Sequence, residues 1–129
     1  IATRPSRATR ALAAQGIPVE IYDAVLPDPD FAQVDGGIEH CRKHGCDAVL
    51  AIGGGSSLDA AKIIALCAGS DQAPRDVLGF FKVSQRGLPT YCLPTTAGTG
   101  SEATMVSVIT DTATSTSALR SPPGTCSAV

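Results

Sequence analysis

The stretch "AIGGGSSLDAAK", residues 51–62, constrains this chain more than any other: an apolar run meets three consecutive glycines and then an alanine-rich, helix-like segment. Glycine is costly to order, so three together mark backbone that no side chain can crowd. "AVLAI", residues 48–52, is apolar throughout, as in a strand buried on both faces. Residues from Ser57 to Ala68 read as a helix that is apolar over much of its circumference. A strand, a glycine turn and a helix in that order place the turn where parallel sheets receive ligands.

Other segments extend the alternation. Residues from about Ser6 to Gln15 read as a helix stopped by Gly16. Val19 and Ile21 alternate with Glu20 and Tyr22, the pattern of a short strand in "VEIYDAV". Asp30 can cap a second helix, whose apolar face is Phe31, Val34, Ile38 and Cys41 and whose end is Gly45. Gly36 and Gly37 weaken this helix by roughly 1 kcal/mol each against Ala, which is tolerated where another backbone packs closely. "TYCL" reads as a buried strand and "MVSVIT" as another, while "VLGFFKV" is ambiguous. The rhythm predicts an α/β fold with a Rossmann-like parallel sheet and helices on both faces. The boundaries expected are an α/β domain over 1–111 and an irregular, disordered tail over 112–129, where Ser, Thr, Pro and Gly dominate.

Composition excludes several functions. The 129 residues carry a net charge of −2, with no basic footprint for nucleic acid. No apolar run is long enough to span a membrane, and the first residues lack the pattern of a secretion signal. Five scattered cysteines without a CxxC pair fit a reducing, cytoplasmic setting. The first residue is Ile1 rather than Met, as expected of a fragment. His40 and His44 stand four apart, but Arg42 and Lys43 are poor neighbours for a cation; they read as a helix end, and no metal ligand is assigned.

Two loops concentrate the candidate chemistry. Free N–H groups in the first turn of a helix attract anions, and Gly53, Gly54 and Gly55 would let a pyrophosphate approach, with Ser56 and Ser57 hydroxyls adding donors. The turn matches neither standard fingerprint, because Leu58 stands at the third glycine of GxGxxG and no GK[ST] follows. Phosphate binding and simple packing both remain open on these residues alone. Ser56 and Asp59 fit a capping box, and Lys62 is equally suited to a phosphate or to the helix surface. The second loop, "LPTTAGTGSEAT" at 93–104, crowds Thr95, Thr96, Thr99, Ser101 and Thr104 around two glycines and carries Glu102, which reads as a structural hydrogen-bonding group. No nucleophile stands beside a base, so no catalytic residue is assigned.

"GGGSSLDAAK" followed some forty residues later by "PTTAGTGSEAT" resembles the paired glycine-rich signatures of the iron-containing (group III) alcohol dehydrogenases, over roughly residues 4 to 116. "PDPD" and "DVLGFFKVSQRGLP" fit as well. The resemblance implies that 1–111 is a partial dinucleotide-binding domain, the N-terminal cofactor part of an NAD(P)-dependent oxidoreductase that moves a hydride between a primary alcohol or 1,2-diol and its aldehyde. Fe²⁺ or another divalent ion would polarise the substrate oxygen there. Carried over by position, Gly54, Gly55, Ser56 and Ser57 would hold the pyrophosphate with Asp59 beside them. Thr95 and Thr96 would line the adenosine side, and Thr104 and Val106 would approach the nicotinamide. The family's first strand, its metal ligands (one Asp and three His) and its all-helical C-terminal domain are expected outside this chain, which would then be truncated at both ends and inactive alone. The full-length enzyme is expected to be a homo-oligomer. Glycerol dehydrogenase and maleylacetate reductase relatives are alternatives within the family, and a non-catalytic nucleotide-binding module is an alternative outside it.

Overall fold

In the computed structural model, residues 6–77, 79, 82–104, 106–111, 117–120 and 126–128 are described, the last two stretches by their backbone. Helix α1 (Arg7–Ala14) starts where the Ser6 side chain accepts from Thr9 N, and it ends at Gly16, which has φ +75°. Helix α2 (Phe31–Lys43) starts at Asp30, whose carboxylate accepts from Gln33 N at 3.0 Å. Both starts follow the usual logic of a short polar side chain meeting an orphan N–H. The stripe Phe31, Val34, Ile38 and Cys41 is buried, as its spacing predicts.

Strand β1 (Val49–Gly53), helix α3 (Gly55–Ala68) and strand β2 (Thr90–Pro94) form a βαβ unit, with β1 and β2 parallel and Val49 beside Thr90. Helix α3 packs on both strands and against α2, and strand β3 (Val106–Ile109) also lies on it. That encirclement explains why every residue from Leu58 to Cys67 is buried. Leu58 and Ile63 are wholly buried, each contributing about 1.5–3 kcal/mol by leaving water. The parallel sheet with helices is therefore as read from the sequence.

Three local expectations change. "VEIYDAV" belongs to no strand, because no described strand runs beside it. Its groups turn to α2 instead: Tyr22 Oη donates to Gln33 O at 2.7 Å, and Leu26 N donates to Gln33 Oε1 at 2.8 Å. The glycines of α2 face side chains rather than a backbone, since a Cβ at Gly36 would meet Tyr22 Oη and one at Gly37 would meet Ile64 Cδ1. Within 112–129, where composition suggests an irregular tail, strand β4 (Ser117–Arg120) pairs antiparallel with β3, and strand β5 (Cys126–Ala128) pairs parallel with β2. An open strand edge accepts any extended backbone, whatever side chains it carries. Residues 112–116, 121–125 and 129 lie outside the described residues, as do Leu78, Phe80 and Phe81 of the ambiguous stretch.

Where α3 ends, Gly69 and Gly87 touch back to back. A Cβ at Gly69 would lie 2.6 Å from Leu88 N, and one at Gly87 would overlap Leu66 Cα, Leu66 N and Ala65 O. Ala65 O accepts from both Gly69 N and Leu88 N, so the returning chain is bonded to the last turn of α3 just before β2 begins.

Cys67 shows how dry this interior is: burial pushes its thiol up to about 12. The thiolate is the reactive form. Iodoacetamide at mildly alkaline pH is expected to leave Cys67 unlabelled in the native chain and to alkylate it once urea is added. Rapid native labelling, read by peptide mass, would contradict this burial.

Candidate functional site

The two glycine-bearing loops leave the same edge of the sheet. Gly53 and Pro94 are register partners at the ends of β1 and β2, and Thr95 N donates to Gly53 O at 2.8 Å. From there the first loop becomes α3 and the second crosses in front of it. A Cβ on Gly54 would stand 3.4 Å from Thr96 Oγ1, and one on Gly55 would stand 3.3 Å from Ser101 Oγ and 3.5 Å from Thr99 Cγ2. On Gly53 it would collide with Ser57 Oγ at 2.7 Å. The three glycines are thus bordered by hydroxyl-bearing neighbours, with Gly53 the one where a Cβ would clash.

Helix α3 differs from α1 and α2 at its start. Its N-cap is Gly54, which offers no side-chain cap where Ser6 and Asp30 serve the other two, and like theirs its first turn holds no acidic residue. The first N–H groups of a helix have no intrahelical partner, and the dipole leaves partial positive charge there. An anion among the glycines would meet both, with the Ser56 and Ser57 hydroxyls beside it.

Asp59 is not the cap that its spacing from Ser56 suggests. It is 8% exposed, its Oδ2 accepts from Val108 N at 2.9 Å, and its Oδ1 lies 3.0 Å from Lys62 Nζ. The second contact is an ion pair without hydrogen-bond alignment. Lys62 takes neither role open to it on sequence alone. Its side chain is buried, and Nζ donates to Ser101 O at 3.0 Å, Thr104 O at 3.3 Å and Val106 O at 2.7 Å. Lys62 therefore bolts the second loop to α3 through main-chain oxygens.

Thr95, Thr96 and Thr104 are exposed along the second loop, and Val106 is 39% exposed at the start of β3. Thr104 Oγ1 donates to Val106 O at 3.3 Å. Gly54, Gly55, Ser57, Thr95 and Thr96 are brought together at the sheet edge; Thr104 and Val106 sit farther along the strap that Lys62 holds. Thr99 and Ser101, beside Gly55, are neighbours that position-by-position carry-over missed, although their hydroxyls stand out in the loop's composition. Glu102 Oε2 is buried without a hydrogen-bond partner among the described residues, so the structural bond expected of it is not made by that oxygen. A separate cavity of about 650 Å³ lies between α2 and the segment after α3. Arg42, on its wall, donates Nη2 to Cys67 O and Ser70 O, which ties its guanidinium to the end of α3.

Comparison with known proteins bears on this edge of the sheet. The sequence model of the family described as iron-containing alcohol dehydrogenase matches residues 3–129. The NAD-dependent methanol dehydrogenase of Bacillus methanolicus is 43% identical over 98 residues, covering 76% of this chain and 26% of that protein. Alcohol dehydrogenase 4 of Schizosaccharomyces pombe is 43% identical over 97 residues, 75% of this chain and 23% of its own length. Among solved structures, sulfoacetaldehyde reductase from Bifidobacterium kashiwanohense in complex with NAD+ superposes with a TM-score of 0.83 at 37% identity, over 94% of this chain and 33% of that one. The chain spans about a quarter of the length of the curated relatives it matches. Among the described residues, no helix is long and apolar enough to cross a membrane.

Proposed function

This chain belongs to the iron-containing alcohol dehydrogenase family, and from that premise we propose that it is the cofactor-holding part of an NAD(P)-dependent oxidoreductase acting on a small primary alcohol or 1,2-diol and its aldehyde. The observation that carries the reading is the uncapped start of α3, opened by Gly54 and Gly55 and faced by the hydroxyls of the second loop. A pyrophosphate fits there on chemical grounds, because it supplies the acceptors that those N–H groups lack.

In this reading Gly54 and Gly55 keep the approach to the backbone open, and Ser56 and Ser57 donate hydroxyls to phosphate oxygens. Thr95 and Thr96 flank the adenosine side. Thr104 and Val106 border the nicotinamide end, whose ring supplies the hydride acceptor when bound. Asp59 acts one layer below: by taking the Val108 N–H and pairing with Lys62, it fixes the strap that carries those two residues. Sulfoacetaldehyde reductase, which shares this fold region, is a structure in complex with NAD+.

The described residues around the start of α3 do not form a metal centre. Their hydroxyls, amides and the engaged Asp59 include no group of three side chains with ligating atoms in reach of one another. No step through iron is derived from this chain, and we assign it no alcohol oxidation alone; the cofactor-binding role falls to the stretch up to residue 111.

Calorimetric titration with NAD+ and ADP tests the reading. Both are expected to bind, since they share the pyrophosphate. At Gly54 the β-carbon itself has room beside Thr96, but the methyls of Gly54→Val would fill the anion's place. That variant is expected to weaken both ligands about tenfold or more, at least 1.4 kcal/mol. Absence of binding by the unmodified chain, or unchanged affinity in Gly54→Val, would sink the proposal.

A further inference from the structure

We propose that Glu20, His40 and His44 form a site for one divalent transition-metal ion of the Zn²⁺ class, clipping the segment before α2 to that helix's C-terminal end. On sequence alone the two histidines read as a helix end; the fold brings a third ligand to them. One ligating atom from each of the three side chains lies within 4.8 Å of the others, and Glu20 Oε1 is 3.6 Å from His44 Nδ1.

The two histidines share a face because they are four apart at the close of α2, with ring centroids 4.6 Å apart. Tetrahedral Zn²⁺ with ligands at about 2.0–2.2 Å needs ligand atoms about 3.3 Å from one another. Glu20 and His44 are exposed, so small side-chain rotations close the remaining gap. His40 is half-buried, its ring 5.7 Å from that of Tyr22. Its Nε2 is buried and has no hydrogen-bond partner among the described residues, and an unmet buried polar atom is costly.

The local field suits a cation. The C-terminal end of α2 carries partial negative charge, and Glu20 adds a full one. Arg42, which the sequence sets against such a site, is turned to the other side: its Nη2 donates to Cys67 O at 2.7 Å and to Ser70 O at 3.0 Å. Lys43 is the cation left in that turn, and it is exposed. Two imidazoles and one carboxylate, with a fourth position open to water, favour Zn²⁺, Cu²⁺, Ni²⁺ or Co²⁺ over Mg²⁺ or Ca²⁺, which prefer all-oxygen cages.

The site is separate from the cofactor edge. Helix α2 leads into the beginning of β1, whereas the glycine turn follows its end, and a five-residue strand spans about 16 Å. What the ion would hold is the segment from Ile17 to Pro27, which has no strand partner among the described residues and docks through Tyr22 and Leu26.

The test titrates the metal-stripped chain with Zn²⁺ by calorimetry and with Co²⁺ by absorption. One ion per chain is expected, without a thiolate charge-transfer band. His44→Ala and Glu20→Gln change exposed side chains and are expected to leave the circular dichroism spectrum intact. Each should weaken Zn²⁺ at least about tenfold, the lower bound for disturbing even a ligand's hydrogen-bond partner. Zn²⁺ should also slow proteolysis between residues 17 and 27 in the unmodified chain and not in His44→Ala. A cobalt–thiolate band, unchanged affinity in His44→Ala, or no binding would each overturn the proposal.

Discussion

Replacing Lys62 by Met is expected to destabilise the chain by about 3–5 kcal/mol, the cost of leaving a buried charge without its partner. Lys62 is 3% exposed, and its ammonium meets three main-chain carbonyls and the Asp59 carboxylate. Met fills a similar volume but supplies no donor. Asp59 would then keep only the Val108 N–H, in a largely buried site. Stabilities of whole domains are about 5–15 kcal/mol, so this is a large share of the total. The urea midpoint should fall accordingly, and Lys62→Met/Asp59→Asn should recover part of the loss by removing the stranded charge. A loss below about 1 kcal/mol for Lys62→Met, as at an exposed ion pair, would show that the bolt is not made.

Gly87→Ala is the second large effect. The added methyl would overlap Leu66 Cα, Leu66 N and Ala65 O, all of them α3 backbone, so no side chain can swing away to make room. Relief requires lifting residues 87 and 88 from the helix, which breaks the 2.9 Å bond from Leu88 N to Ala65 O and disturbs the start of β2. The cost is expected at the upper end of overpacking, about 3 kcal/mol, lowering the melting midpoint by about 10 °C or more. Ser84→Ala, an exposed change in the same connection, should stay within about 0.5 kcal/mol and serves as the control. A Gly87→Ala melt like that of the control would refute the close crossing.

What the sequence makes legible here is local chemistry repeated at a fixed period. Ser6 and Asp30 announce their helices because a cap needs only residues three apart. Phe31, Val34, Ile38 and Cys41 announce a buried face by spacing. The same local logic misleads at Ser56 and Asp59, where a partner 49 residues away, Val108 N, takes the carboxylate that a capping box would use. It misleads again at "VEIYDAV", because alternation reports a strand's faces and not whether a neighbour exists to pair with. Apart from its ion pair with Asp59, Lys62 was beyond local reading: its hydrogen-bond acceptors lie 39 to 44 residues on and are carbonyls, which every residue has. The glycine turn was legible as backbone needing space, while the fillers of that space, Thr96, Thr99 and Ser101, emerge only once both loops share a sheet edge. Glu20 joined His40 and His44 for the same reason, through a loop that sequence pattern reads as a strand.

A fastening that grips main-chain oxygens is blind to the letters written around it. Ser101, Thr104 and Val106 offer Lys62 only their carbonyls, so their side chains are free to be exchanged without slackening the strap. The helix side of the junction is fixed by two residues, Asp59 and Lys62, and the loop side by none in particular. Substitutions at 101, 104 and 106 can therefore alter what the second loop presents to a bound molecule while its position stays put, which gives a lineage room to change specificity without rebuilding its scaffold.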